Sequence, residues 1–219
     1  MGIAKNIEQI KKQIGEGVTL VAVSKYSPDE SVQEAYDAGH RDFGENKAQD
    51  VTDRKDRFPE DVRWDFIGHL QRNKVKYIAP YVHLIHGVDS LKLLKEINKQ
   101  AMKFDRVIPV LLQIHIAKEE SKFGLDEGEL HELINSKELT ELENIRVEGL
   151  MGMATNTKDE SVVRSEFEGL KSIFDRLAKA ETPENVEMKT LSTGMSNDYK
   201  IAVECGSTMV RIGSAVFNK

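Results

Sequence analysis

One cysteine, five prolines and a single tryptophan are spread through 219 residues. The lone thiol, Cys205, rules out an intramolecular disulfide and points to a reducing cytoplasm. Scarce proline, and the lack of any glycine-rich or low-complexity tract, leaves no linker at which to divide the chain. No stretch approaches the roughly 20 apolar residues that cross a bilayer, and the start Met1-Gly2-Ile3-Ala4-Lys5-Asn6 lacks the apolar core of a signal peptide. Positive charge is also in deficit. With 31 Lys and Arg against 37 Asp and Glu, the net charge of -6 argues against nucleic acid or an anionic membrane as partner. What the chain does have is 39% hydrophobic residues among mixed charges, enough to bury one core, so a single domain over residues 1–219 is expected.

Short apolar runs recur at 18–24, 41–45, 64–68, 84–88, 107–116, 147–153, 188–192 and 209–215. Between them the apolar spacing is helical: Val163, Phe167, Leu170, Phe174 and Leu177 step by four and three and so share one face. Leu91, Leu94 and Ile97 repeat the pattern. Ile3, Ile7, Ile10 and Ile14 mark an extra N-terminal helix within residues 1–17. Strands alternating with helices build parallel βαβ units. Eight of them predict an α/β fold, a (β/α)8 TIM barrel, with a doubly wound open sheet as the alternative. Barrel chemistry gathers at the carboxyl ends of strands, and Lys25, Asn46, His69, Met153, Ser196 and Gly213 fall at or near those ends.

A primary amine at a rigid strand end can attack an aldehyde once it is neutral, which desolvation or a neighbouring cation favours. A lysine after a strand is more often a solvated terminus, so the rest of the chain decides how Lys25 is read. The segment Leu191-Ser192-Thr193-Gly194-Met195-Ser196-Asn197-Asp198 passes from a strand through glycine into a helix, with Ser196 or Asn197 as the expected N-cap. Free N–H groups and the helix dipole there attract a phosphate, or the polar residues merely cap. The segment 206–214 puts Arg211 inside the last strand, then Gly213, which lets backbone approach a ligand, and Ser214, which can donate to it. Strands seven and eight are where barrels commonly bind phosphate. A charge inside an apolar strand is costly unless paired. Arg211 therefore has either a buried carboxylate or a ligand, such as a cofactor ring nitrogen that a permanently protonated guanidinium keeps unprotonated.

Ala22-Val23-Ser24-Lys25, Phe43-Gly44-Glu45-Asn46, Phe66-Ile67-Gly68-His69-Leu70-Gln71 with Asn73-Lys74, and segments 191–196 and 206–213 follow one another in that order. In these motifs the chain resembles the pyridoxal phosphate homeostasis proteins over nearly its full length. The resemblance implies a barrel like the N-terminal, cofactor-binding domain of alanine racemase. It implies pyridoxal 5'-phosphate (PLP) as cofactor, held as a Schiff base on Lys25, with phosphate contacts from Ser196, Gly213 and Ser214 and with Arg211 at the pyridine nitrogen. The separation of fifteen positions between Ser196 and Arg211 matches that of the corresponding residues in the racemases. Ser192 and Gly194 are read as shaping the loop. Thr193, Tyr26 and Lys47-Ala48 depart from the family pattern, which leaves the pocket rim open. Asn46 either bonds near the cofactor or caps a helix, and Met153 either walls the cofactor or fills a gap in the barrel.

Three functions compete. The preferred one is a monomeric, cytoplasmic PLP holder that limits free aldehyde and hands the cofactor to apo PLP-dependent enzymes, without efficient turnover. A weak amino-acid racemase is the second; it needs another acid/base on the opposite cofactor face, which the resembled enzymes take from an additional domain and a partner subunit. The third is a barrel for another phosphorylated metabolite, with Lys25 as a counter-ion. The six histidines, with His83 and His86 read as flanking a strand, show no metal-site spacing, so no metal is expected. Cys205 is read as packing at a helix end, and the basic stretch 71–76 as a solvated helix face.

Overall fold

The structure is a computed structural model that describes residues 2–118 and 123–218. Eight parallel strands close into a barrel in sequence order: β1 (Thr19–Val23), β2 (Asp42–Glu45), β3 (Arg63–Phe66), β4 (Leu84–Val88), β5 (Ile108–Ile114), β6 (Ile145–Gly152), β7 (Val186–Ser192) and β8 (Met209–Ile212). Closure is made by β1 against β8, where Val21 lies beside Arg211. The helices are α1 (Ile3–Ile14), α2 (Asp29–Asp37), α3 (Ala48–Lys55), α4 (Val75–Ile78), α5 (Leu91–Met102), α6 (Glu127–Ile134), α7 (Lys137–Thr140), α8 (Glu160–Lys179), α9 (Tyr199–Glu204) and α10 (Ser214–Phe217). Among the described residues no helix is long and apolar enough to cross a membrane.

Each of the eight apolar runs forms a strand, with ends displaced by a few residues. β8 stops at Ile212 rather than 215, because Gly213 turns the chain and Ser214 already opens α10. His86 lies inside β4 instead of flanking it. Strand alternation sorts the core into two shells. Leu20, Ala22, Phe43, Trp64, Phe66 and Ile85 pack with the helix faces. Val21, Leu84, Leu111, Met151 and Met209 form a separate cluster on the barrel's inner side, with Met153 resting on it. Between β6 and β7 the register slips at Gly149, whose φ is +149° and where a Cβ would fall 1.8 Å from the Thr190 carbonyl oxygen; only glycine fits.

α1 buries Ile3, Ile7, Ile10 and Ile14. Its Ile3 N–H donates to Glu34 Oε1 of α2 at 2.8 Å, and Asn6 Nδ2 donates to the Val216 carbonyl of α10 at 3.0 Å. This helix thus braces the seam where β1 meets β8. α8 buries Val163, Phe167, Leu170 and Phe174, with Leu177 partly covered, as the spacing predicts.

Candidate functional site

Lys25 follows β1 on a loop fastened from below. Ser24 donates its N–H to the Gly44 carbonyl at 3.0 Å and its hydroxyl to Glu45 Oε1 at 2.6 Å. Arg54 of α3 donates Nη1 to that same Oε1 at 2.5 Å and to the Ser24 carbonyl at 3.0 Å. It also donates Nη2 to the Ser27 carbonyl, while its Nε lies 3.2 Å from Asp29 Oδ1. Burial pushes the Glu45 carboxyl up, against the opposing pull of Ser24 and Arg54. With both flanks tied, Tyr26 takes the left-handed φ of 67° and is 80% exposed. Lys25 is exposed, and its ammonium has no hydrogen-bond or ion-pair partner among the described residues.

The end of β8 packs on the end of β1 across the seam, and the loop after β7 is joined to the helix that follows β8. Gly213 packs so closely on β1 that an added Cβ would lie 3.2 Å from the carbonyl oxygen of Val23, two residues before Lys25. Ser196 Oγ accepts from the Ala215 N–H at 3.5 Å, joining the loop after β7 to the start of α10. The Ser214 N–H has no acceptor among the described residues. α9 begins differently from expectation: its N-cap position is Asp198, not Ser196 or Asn197, and no side chain caps it; Asp198 Oδ1 instead accepts from the Met195 N–H of the preceding loop at 2.6 Å. Ser196 lies two residues before that position.

Asn46 does not cap a helix either. The N-cap of α3 is Lys47, with no side-chain bond, and Asn46 Oδ1 is buried without a partner among the described residues. Met153 is half-buried above the inner apolar cluster, past the end of β6.

Arg211 is 4% exposed and has no ion pair among the described residues, so the carboxylate partner that its burial suggested is absent there. Nη1 donates to the Ser192 carbonyl at 2.8 Å and to Ser192 Oγ at 2.6 Å, and Nη2 donates to the Gly152 carbonyl at 3.1 Å. Burial lowers its pKa to about 10, with the Asp198 charge pulling the other way. Behind it lies a polar chain that was not foreseen. His86 Nδ1 is 3.1 Å from Ser192 Oγ, and its Nε2 is 3.1 Å from Asp65 Oδ2. His83 Nδ1 is 2.9 Å from Asp65 Oδ1. Sequence reasoning also missed Glu45 and Arg54. Asp65 was detectable by the argument that singled out Arg211: it is a charge between Trp64 and Phe66 in an apolar strand. Arg54 sits on an ordinary polar helix and carries no such signal.

The family profile of the alanine racemase N-terminal domain matches residues 2–218. A pyridoxal phosphate homeostasis protein of Vibrio alginolyticus is 37% identical, the match covering 98% of this chain and 96% of the relative. The chain belongs to the pyridoxal phosphate homeostasis protein family. PipY of Synechococcus elongatus, solved both without and with PLP bound, superposes with TM-scores of 0.92 and 0.88 at 29% and 30% identity, over 99% of this chain and 100% of PipY. An alanine racemase of Bartonella henselae shares the fold at 16% identity and a TM-score of 0.76, with 99% of this chain covering 58% of the racemase chain. The homeostasis family and the racemase thus have the barrel in common.

Proposed function

We propose that this chain binds PLP as a Schiff base on Lys25 and serves PLP homeostasis, with residues 1–219 acting as one barrel unit braced by the helix within residues 1–17. The observation that carries the reading is the seam: β1, which delivers Lys25, is hydrogen-bonded to β8, which delivers Arg211, and Gly213 packs on Val23. The residues present suit the group. Ser196, Gly213 and Ser214 would receive the phosphate through a hydroxyl and unspent N–H groups. Arg211 would donate to the ring nitrogen, the unpartnered Asn46 Oδ1 would face the cofactor, and Met153 would form part of the wall. When bound, the cofactor supplies an aldehyde carbon that forms a C=N bond with the Lys25 amine, releasing water. The tethered Ser24–Ser27 loop presents that amine in one place, and its exposure keeps the linkage open to water and so reversible.

The chain is a holder that passes PLP to apo PLP-dependent enzymes as a cytoplasmic monomer. Turnover as a racemase is negligible, because the mouth beside Lys25 is open, with Tyr26 80% exposed, and water-filled sites orient and shield substrates poorly. Titration of wild type and Lys25→Ala with PLP tests the reading. Wild type develops a visible absorbance band and the variant does not. Equal affinity in both would favour a site for another phosphorylated metabolite. Chiral analysis of alanine and serine incubated with loaded protein shows no rapid racemisation on this account.

A further inference from the structure

Four polar side chains cross the barrel's inner side where apolar ones would fill the space: Asp65 on β3, His86 on β4, Ser192 on β7 and Arg211 on β8. Asp65, His86 and Ser192 are 1%, 0% and 0% exposed. Such groups cost stability unless every proton has an acceptor, and here the protons run in one direction. A guanidinium only donates, so Ser192 Oγ accepts from Arg211. The Ser192 hydroxyl proton then goes to His86 Nδ1, which must be the unprotonated nitrogen of a neutral ring. The remaining ring proton, on Nε2, goes to Asp65 Oδ2, and His83 donates to Oδ1.

We propose that Asp65, His86 and Ser192 are positioning residues for Arg211, forming a hydrogen-bonded relay that fixes the guanidinium and leaves two of its five N–H groups for the cofactor ring. The relay ends at His83, which precedes β4 at the amino-terminal mouth and is 44% exposed in its side chain. Arg211 spends three N–H groups on Ser192 and Gly152, so Nε–H and one Nη2–H remain among the described contacts. The charges agree with this arrangement. Burial would raise the Asp65 carboxyl, but hydrogen bonds from both histidines outweigh it and hold the group below its ordinary value. Burial, stronger than the Asp65 bond and aided by the Arg211 charge, holds His86 down and neutral, while Asp65 holds His83 up. Asp198 is the acid whose charge favours the Arg211 cation directly. A buried anion thus supports the buried cation through two neutral links.

The inference rests on the reading of Arg211 as the ring-nitrogen donor, but its first test needs no cofactor. In 15N-labelled apo protein, His86 is expected as a neutral ring protonated at Nε2. In Asp65→Asn the side-chain amide can donate to Nε2 and drive the proton to Nδ1. A charged His86, or a neutral wild-type ring protonated at Nδ1, overturns the relay. Ser192→Ala cuts the middle link with less disturbance and serves if Asp65→Asn fails to fold. With PLP added, either variant still labels at Lys25 but shows a shifted absorbance band and about tenfold faster release, roughly what one lost charged hydrogen bond confers. A wild-type band and release rate in Ser192→Ala overturns the positioning role. Failure of wild type to bind PLP sinks the cofactor reading and leaves the tautomer result to judge the relay.

Discussion

Arg54 and Arg211 are both buried cations, and they are wired in opposite ways. Arg54 is neutralised by its own fold, with the carboxylates of Glu45 at 2.5 Å and Asp29 at 3.2 Å and the carbonyls of Ser24 and Ser27 around it. Among the described residues Arg211 has only neutral acceptors and retains unspent donors, and burial lowers its pKa to about 10. The first arginine staples the loop that presents Lys25. The second is built to meet something that the fold does not supply. Burial alone does not distinguish a structural charge from a receptive one; whether the fold supplies a carboxylate to pair with it does.

The largest effect should follow from Arg54→Met, which leaves Glu45 buried without its cation. A loss of about 3–5 kcal/mol in unfolding free energy is expected from urea titration. The loss depends on pH. A carboxyl whose folded pKa exceeds its unfolded value stabilises the fold below the unfolded pKa and loses that contribution as pH rises through the folded pKa. Burial already raises Glu45, and removing Arg54 raises it further. The variant's deficit is therefore larger at pH 8 than at pH 5, and equal deficits would break the comparison.

Next comes the ligand. PLP at a hundred times its Kd should add about 2.7 kcal/mol to wild-type stability. Arg211→Met should lose most of that gain while its own stability falls by no more than about 2 kcal/mol, because the stranded acceptors are offset by relief of a buried charge. If it unfolds as readily as Arg54→Met yet binds PLP normally, the roles assigned to the two arginines are reversed. The smallest effect belongs to Gly213→Ala. Its new Cβ, 3.2 Å from the Val23 carbonyl oxygen, needs only a slight shift of β1 against β8. A stability loss under about 1 kcal/mol is expected, with weaker PLP retention as the more sensitive readout.

The barrel was legible because strand and helix periods alternate eight times, and β-strand existence is easier to read than its ends. Gly213, for instance, stops β8 early for a local backbone reason that no apolar pattern encodes. At the site, Arg211 announced itself as a charge in an apolar strand. Lys25 gained meaning only from motifs elsewhere in the chain. The partners of both were hidden. Ser192 read as loop chemistry, yet it is the acceptor that orients Arg211. His86 read as a strand-flanking residue, yet it lies inside β4 and is fully buried. Such roles depend on which strands face each other across a closed barrel, a relation between β3, β4, β7 and β8 that linear spacing does not contain. The start of α9 is a subtler case: Ser196, Asn197 and Asp198 are all residue types that cap, yet the helix begins after Asp198 with no side-chain cap.

Borohydride reduction of the PLP-loaded protein, followed by peptide mass mapping, tests the central claim most directly. A single pyridoxyl group on Lys25 is expected. An unlabelled chain, or label scattered over surface lysines, would contradict it.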